Sequence, residues 1–174
     1  MKKIIPILTL VITVSNFAQD YKFGKVSKEE VQEKFYPLDS TADAAYLYRK
    51  RRTYFDYNQG FSIKTEIHER IKIYTKEGFN KATKSITYYK PDSGENETVS
   101  SIKGYTFNLE QGKIIKEKLS KSNIFKEKIN KYRSRKKITM PSVKKGTVIE
   151  IKYSISSPYY TSIDDLQFQY SIPV

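Results

Sequence analysis

The chain has 174 residues, a formal net charge of +13, 15 Tyr and 9 Phe, but no Cys and a single His. Without cysteine it has no disulfide framework, no thiolate nucleophile and no thiolate metal site. Its stability must therefore come from burial of a core, a task for which a large supply of aromatic side chains is suited.

Residues 1–18 have the features of a secretory signal peptide. Met1–Lys3 is a short basic region, residues 4–14 form an apolar run, and residues 15–18 offer a small residue, Ala18, at a plausible cleavage site. The apolar run is shorter than the roughly 20 residues that a membrane-spanning helix needs. We therefore expect an exported protein of the periplasm or cell envelope, or a secreted one, whose mature part, residues 19–174, is a single β-rich module.

The first predicted elements are a short helix and a strand. Ser27 and Glu30 have the spacing of a capping box, which predicts a helix over residues 27–34 that ends before a proline. A polar turn follows. The aromatic residues between positions 46 and 55 then predict a strand, in which residues 49–52 form either a solvated face or a bulge.

Residues 61–73 give the clearest strand signal, because apolar and charged side chains alternate. Successive side chains of a strand point to opposite faces, so we expect one set in the core and the other in water. Thr65 and Glu69 interrupt the apolar set, which predicts a bend or a sheet end. The expected core set is Phe61, Ile63, Ile67, Ile71 and Ile73, and the expected solvent set is Lys64, Glu66, His68, Arg70 and Lys72.

Five more strands are predicted along the chain, over residues 85–90, 99–109, 113–119, 147–155 and 166–172. Turn residues separate them, as in the hairpin at Glu110-Gln111-Gly112 and the turn at Lys145-Gly146. Seven or eight strands and one short N-terminal helix place the chain in the mainly β class, as an antiparallel β-sandwich. In the strand over 147–155 the expected core residues are Ile149, Ile151, Tyr153 and Ile155, and the expected solvent residues are Glu150 and Lys152.

Most of the positive charge lies in residues 113–137, which carry eleven Lys and Arg against two Glu. One interpretation is a patch for an acidic partner, such as an anionic polysaccharide or a lipid headgroup surface. The other is a solvated, mobile connection between strands, because charge runs usually are solvated faces. The spacing of Phe125, Ile129 and Tyr132 allows one or two helical turns within it. The candidate patch consists of Lys131, Arg133, Arg135, Lys136 and Lys137.

The residue types do not assemble into a recognisable reaction centre, and we expect no catalytic site, no metal and no cofactor. His68 lies near two Glu, but one histidine does not make a usual zinc site, so we expect it on the surface, paired with a neighbour across the sheet. The adjacent pairs Glu29–Glu30 and Asp164–Asp165 diverge and fit a helix start and a turn. An exported protein rarely meets nucleic acid, which is therefore not an expected partner.

Three stretches together resemble a known family. They are SKEEVQEKFYPLDSTADAAYLY near the start, EIHERIKIYTKEGFNKAT in the middle, and MPSVKKGTVIEIKYSI with FQYSIPV at the end. In order and spacing they are similar to the domain of unknown function that precedes transglutaminase-like domains in exported bacterial proteins. The resemblance covers residues 26–174. It implies a β-rich N-terminal module that is followed, in the same polypeptide, by a core with a Cys, His and Asp triad.

Two functions follow from these observations. The first is a noncatalytic module of an exported envelope protein, truncated at its C-terminal end, whose partner is a downstream transglutaminase-like or protease-like domain of the same polypeptide. The resemblance carries over no catalytic residue, because none of that core lies in this chain. The alternative is a freestanding binding module that holds an anionic cell-surface polymer through residues 113–137.

Overall fold

The computed structural model of the chain describes residues 21–58, 60–161, 163 and 170–174. The predicted signal peptide, the Asp164–Asp165 turn and residues 166–169 of the predicted last strand lie outside them, and residues 170–172 are not in a strand. The described elements are a helix, α1 (Lys28–Gln32), and the strands β1 (Ala44–Asp56), β2 (Ser62–Ile73), β3 (Thr83–Tyr89), β4 (Thr98–Glu110), β5 (Lys113–Lys118), β6 (Ile124–Lys128), β7 (Arg133–Thr139) and β8 (Val148–Ser157).

The strands form two sheets, and neighbouring strands within each sheet are antiparallel. The larger sheet has five strands in the order β1-β2-β8-β4-β5, and the smaller has three in the order β3-β7-β6. The sheets face each other across a shared core. The predicted antiparallel β-sandwich is therefore confirmed.

The core contains the inward positions that alternation predicts in β2 and β8. Apolar side chains of these two central strands pack against the inward face of the smaller sheet. Phe61 is an exception: it precedes β2, is 38% exposed and stacks on Phe55 with 5.2 Å between ring centroids. The main contributors are Ile67, Ile71, Ile149, Ile151 and Tyr153 from the larger sheet and Ile86, Tyr88 and Ile138 from the smaller.

The predicted N-terminal helix is present but shorter than expected. Ser27 is its N-cap, and the reciprocal bonds between Ser27 and Glu30 complete the predicted capping box. The helix ends at Gln32 and buries Val31 against Phe107 and Val148 on the outer face of the larger sheet. Within the described ranges, no helix has the length and apolar character needed to cross a membrane.

The basic segment is neither helical nor a mobile connection, which corrects that interpretation. It contains β5 of the larger sheet, a 3-10 turn over Lys121–Asn123, β6 and most of β7. Ile124 and Ile138 are opposite each other in the β6–β7 register and point inward, and Ile138 is fully buried. Strand structure is favoured because these two isoleucines anchor the segment to the core, while its many Lys and Arg can remain in water.

Candidate functional site

The outer face of the five-stranded sheet is covered by residues 21–33, which we call the N-terminal strap. The strap makes a ring contact or a hydrogen bond to every strand of this sheet. These contacts are Tyr21 with Tyr48 of β1 (4.5 Å between ring centroids), Phe23 with His68 of β2 and Tyr105 of β4 (5.4 Å each), Gly24 N with Glu150 of β8 (2.6 Å), and Gly24 O with Lys116 Nζ of β5 (2.7 Å). The strap is therefore a third layer over the sandwich.

This layer overturns part of the predicted solvent face. Arg70, Lys72 and Glu150 are expected in water by alternation, yet their exposed fractions are 2%, 0% and 0%. They do point away from the core between the sheets, as the strand period requires. They are buried because the strap and α1 lie on top of them. Lys152 is exposed as predicted.

Arg70 lies at the centre of a buried ion network. Its Nη2 donates to Oε1 of Glu150 and its Nη1 to Oε1 of Glu30, both at 2.7 Å. Nη2 also donates to the carbonyl oxygens of Lys22 and Lys25. Burial alone would lower the pKa of Arg70, but the hydrogen bonds to Glu30 and Glu150 raise it. The guanidinium therefore stays charged and ties the strap to β2 and β8.

Glu150 is the fixed anion of this network. It accepts hydrogen bonds from the Gly24 N–H at 2.6 Å, from His68 Nε2 at 2.8 Å and from Arg70. Burial alone would raise the pKa of Glu150, but the bonds from His68, Gly24 and Arg70 hold it below its usual value. Glu30, which lies in the first helical turn as predicted, is thus both a cap residue and a partner of Arg70.

Lys72 is a second buried cation on this face. Its Nζ donates to the carbonyl oxygens of Val31 and Gly146, at 2.6 and 2.7 Å. Burial lowers the pKa of Lys72 to about 8, and the charges of Glu33 and Glu30 offset this only in part. Lys72 therefore changes charge near physiological pH in the folded state.

The free energy of unfolding is expected to rise between pH 8 and 10 through Lys72. Its pKa is about 8 when folded and 10.5 when free, so the unfolded chain binds more protons in this range. The rise is about 2 kcal/mol over this range, because a difference of nearly one bound proton contributes about 1.4 kcal/mol for each pH unit. Urea unfolding of the wild type and of Lys72→Met at several pH values measures it, because other titrating groups cancel in the difference. Parallel profiles for the two proteins would contradict the assignment.

Beside the strap, the same sheet face opens into a cleft of about 270 Å³. Lys50, His68 and Lys152 lie opposite one another along its floor, on β1, β2 and β8. The predicted pairing of His68 with a neighbour across the sheet is found, with Glu150 as the partner. Its side chain is only 13% exposed, however, because the rings of Phe23 and Tyr48 pack against it.

The structure divides the candidate basic patch between two faces of β7. Arg133, Arg135 and Lys137 share the outward face of the smaller sheet, because they alternate along the strand. Lys136 is on the other face, where its Nζ donates to the carbonyl oxygen of Val99 at 2.6 Å. Lys131 precedes the strand and lies 4.8 Å from the ring centroid of Tyr132. Three of the five residues thus form one surface.

Glu69 forms a buried ion pair at a point where the sequence predicted a bend or a sheet end, and β2 instead runs through it in unbroken register with β8. It occupies a core position of β2, with a side chain that is 0% exposed. Arg49 of β1 donates to it at 2.8 Å, and Lys84 of β3 donates at 2.7 Å. Lys84 belongs to the opposite sheet, so this ion pair joins the two layers. Its position among the apolar residues of β2 was the available signal.

The described residues do not form a metal-binding site. Across residues 21–58, 60–161, 163 and 170–174, no three His, Asp or Glu side chains are grouped so that they could hold a metal ion. The prominent polar features are instead the covered ion network and the cationic cleft next to it. Both depend on the strap.

Known proteins share this fold. A family model described as a domain of unknown function with a solved structure, DUF3857, matches residues 61–173. The chain is also similar to the crystal structure of a protein from Parabacteroides distasonis described as a "putative protease", with a TM-score of 0.53 and 15% identity. The similar region covers 66% of this chain but 23% of that one, so it spans about a quarter of that protein. Among curated proteins, none matches this chain.

The family match includes β2 to β8, whereas the strap and β1 precede it. The predicted resemblance to a domain of unknown function is confirmed. Its association with transglutaminase-like domains stays a prediction. Since the family model matches more than half of the residues, the chain belongs to the DUF3857 family.

Proposed function

We propose that this chain is a noncatalytic β-sandwich module of an exported bacterial envelope protein, accessory to a transglutaminase-like or protease-like domain outside this sequence. The observation that carries the proposal is the small share of the Parabacteroides distasonis chain that the similar region covers, which is 23%. The same fold thus occurs there as one part of a larger protein. The basic start and apolar run of residues 1–18 support export to the periplasm or envelope.

The chemistry around the single histidine supports an accessory role. A catalytic histidine needs a nucleophile or a substrate proton within hydrogen-bond reach. Within the described residues, the side-chain hydrogen bond of His68 goes to Glu150, and Glu150 is also held by Gly24 and Arg70. This pair therefore serves the attachment of the strap. We assign catalysis to a downstream domain and propose neither a metal nor a cofactor for this module.

The reading frame beyond codon 174 tests the accessory role most directly. We expect it to continue into a domain that carries a Cys, followed by a His and an Asp. A stop codon at that point would contradict the proposal. Purified protein of the present sequence should show no peptide or isopeptide turnover, and robust turnover would also contradict it. Mass spectrometry of exported protein should find Gln19 at the N-terminus.

The outward face of the smaller sheet favours a second candidate function, the binding of an anionic cell-surface polysaccharide. Arg133, Arg135 and Lys137 succeed one another there at about 6.8 Å, the spacing of alternate strand residues. Exposed Phe125 lies opposite Lys137, and Tyr89 lies opposite Arg133. A row of cations with rings on both sides suits a sugar polymer that carries carboxylates. In the other interpretation the same residues only keep this face of the sheet hydrated and bind no ligand.

Charge reversal of this face should weaken retention on an immobilised acidic polysaccharide. We expect Arg133→Glu/Lys137→Glu to elute at clearly lower salt than the wild type, because two attractive charges become repulsive. Salt screens exposed charges beyond about 10 Å at 0.1 M, so only charges close to the polymer should matter. Lys28→Glu/Lys34→Glu makes the same change in net charge on the strap side and is the control. Equal elution of both variants would show diffuse charge and contradict a specific face. Retention on anionic lipid vesicles alone would assign the face to membranes instead.

A further inference from the structure

We infer that the cleft on the outer face of the five-stranded sheet binds a small phosphomonoester carried by a ring compound. The volume of about 270 Å³ is near the lower end of the range of small-molecule sites. The inference goes beyond the accessory role and does not depend on it. The side chains that line the cleft and carry the argument are Lys50, Arg52, Lys152, Glu66, Phe23 and Tyr48.

The first argument is the gathering of like charges on the cleft floor. One row across four strands consists of Lys50, His68, Lys152 and Lys103. Lys152 and Lys103 are directly opposite each other, an arrangement that destabilises a sheet, although Lys103 lies outside the cleft lining. In the adjacent row, β2 and β8 instead place Arg70 opposite Glu150, where the two form an ion pair. Under the strap the facing residues of β2 and β8 are thus of opposite charge, whereas the row on the cleft floor carries lysines on both sides of His68. The next row of the cleft again contains an opposite pair, Arg52 and Glu66, on β1 and β2.

The cations of the floor are available to a ligand. Lys50 and Lys152 are exposed, and in the described part of the chain neither forms an ion pair with a carboxylate. Arg52 is also exposed and lies over the ring of Tyr54, with 4.8 Å from the guanidinium carbon to the ring centroid. Each can therefore turn toward an anion without breaking an ion pair within the protein.

The charge count favours phosphate over carboxylate. Lys50, Arg52 and Lys152 face only one carboxylate of the cleft, that of Glu66. The surplus of positive charge is thus close to the roughly −1.5 to −2 that a phosphomonoester carries at pH 7, and exceeds the single charge of a carboxylate. Arg52 provides a planar donor fork and the lysines provide point charges, a combination that suits a phosphate with three free oxygens.

The walls of the cleft explain why the ligand should also contain a ring. Tyr48 and Phe23 present partly exposed rings at one side, and both are fixed against His68, with centroid distances of 4.9 and 5.4 Å. Glu66 accepts a hydrogen bond from Tyr54 at 3.2 Å and retains acceptor capacity for a ligand hydroxyl. Apolar ring edges next to an anion site accommodate the ring of a phosphorylated sugar or phenol.

Calorimetric titration with three probes tests the inference. We expect phenyl phosphate to bind at least about tenfold more tightly than inorganic phosphate, and glucose to show no binding. Lys50→Glu/Lys152→Glu should weaken phenyl phosphate binding by at least about tenfold, because two charge-assisted contacts are replaced by repulsion. Lys28→Glu/Lys34→Glu, with the same change in net charge, should keep the affinity within about twofold.

Three outcomes would overturn it. Equal affinity for phenyl phosphate and inorganic phosphate would show that the walls do not hold a ring. Equal weakening by both double variants would show that only net charge matters. Unchanged affinity in Lys50→Glu/Lys152→Glu would place binding elsewhere. The mutated side chains are exposed, so all variants should keep the wild-type melting temperature, which serves as the check on folding.

Discussion

Replacement of Arg70 by methionine is expected to lower the free energy of unfolding by about 3–5 kcal/mol, because it leaves buried carboxylates without their cation. Glu150 is 0% exposed and Glu30 is 11% exposed at their side chains, so neither can recover full hydration in place. For a domain of this size the loss corresponds to a fall of about 6–20 °C in melting temperature. Thermal and urea unfolding at pH 7 measure it.

The pH dependence of the loss distinguishes an electrostatic cause from a packing cause. In the wild type the pKa of Glu150 is held below its usual value, so its contribution is present above the usual carboxylate pKa and is lost as the pH falls through the lowered value. In Arg70→Met the unpaired carboxylates can bind protons, and the deficit against wild type should shrink below about pH 5. If the difference in free energy of unfolding between the variant and the wild type does not change with pH, the loss comes from packing. Arg133→Met, at an exposed position, is the control and should change stability by at most about 0.5 kcal/mol.

Detachment of the strap should accompany that loss. Arg70 holds the strap through Glu30 and through the carbonyl oxygens of Lys22 and Lys25. Without these bonds the part of the strap before α1 is held by its ring contacts and by the bonds of Gly24 to Glu150 and Lys116, whereas α1 keeps the bond from Lys72 to Val31. Local opening exposes backbone to proteases before global unfolding does. Limited proteolysis of Arg70→Met should therefore cleave within residues 21–33 first.

The inner face of the sandwich could be predicted because alternation is a local signal. Ile67 and Ile71 of β2, like Ile149 and Ile151 of β8, are buried where the period of two places them. Turn residues such as Gly112 and Gly146 fall between strands, as expected, and both have positive φ. The presence of a strand, and which of its side chains face the core, can be predicted from residues that are adjacent in the sequence.

The outer face could not be predicted in the same way because its cover comes from far along the chain. Gly24 and Glu150 are 126 positions apart and yet are joined by a hydrogen bond. The strand period states that Arg70 and Glu150 point away from the core, but it does not state whether water or protein lies there. The short helix gave one usable hint, because Val31 needs an apolar surface, which Phe107 and Val148 provide.

The basic segment shows a different limit. Phe125, Ile129 and Tyr132 have helical spacing, but all three are about half exposed (43–51%) and none is a core residue. The residues that determine the local structure are Ile124 and Ile138, which lie on consecutive strands and opposite each other in the sheet. In a two-layer fold with one solvated face, a few apolar residues suffice for a strand, and an edge strand rich in Lys also resists pairing with other chains.

Glu69 provides the second large effect that we expect. Arg49→Met/Lys84→Met should cost about 3–5 kcal/mol, because a carboxylate that is 0% exposed would then lack any cation. Each single replacement leaves one charge-assisted bond in place and should cost about 1.5–3 kcal/mol. Urea unfolding at pH 7 measures all three variants. Lys64→Met, whose partner Asp56 is 3.9 Å away near the surface, is the control and should change stability by less than about 1 kcal/mol.

Addition of Glu69→Leu to the double variant should restore most of the lost stability. An apolar side chain of similar volume can pack between the sheets, and replacement of a complete buried ion pair is often neutral or favourable. If the triple variant is as unstable as the double, the loss must come from other contacts of the two cations, such as the guanidinium carbon of Arg49 at 3.9 Å from the ring centroid of Tyr170. Recovery of stability would instead show that the unpaired carboxylate of Glu69 caused the loss in the double variant. The complete ion pair would then add little to the stability that the apolar core provides.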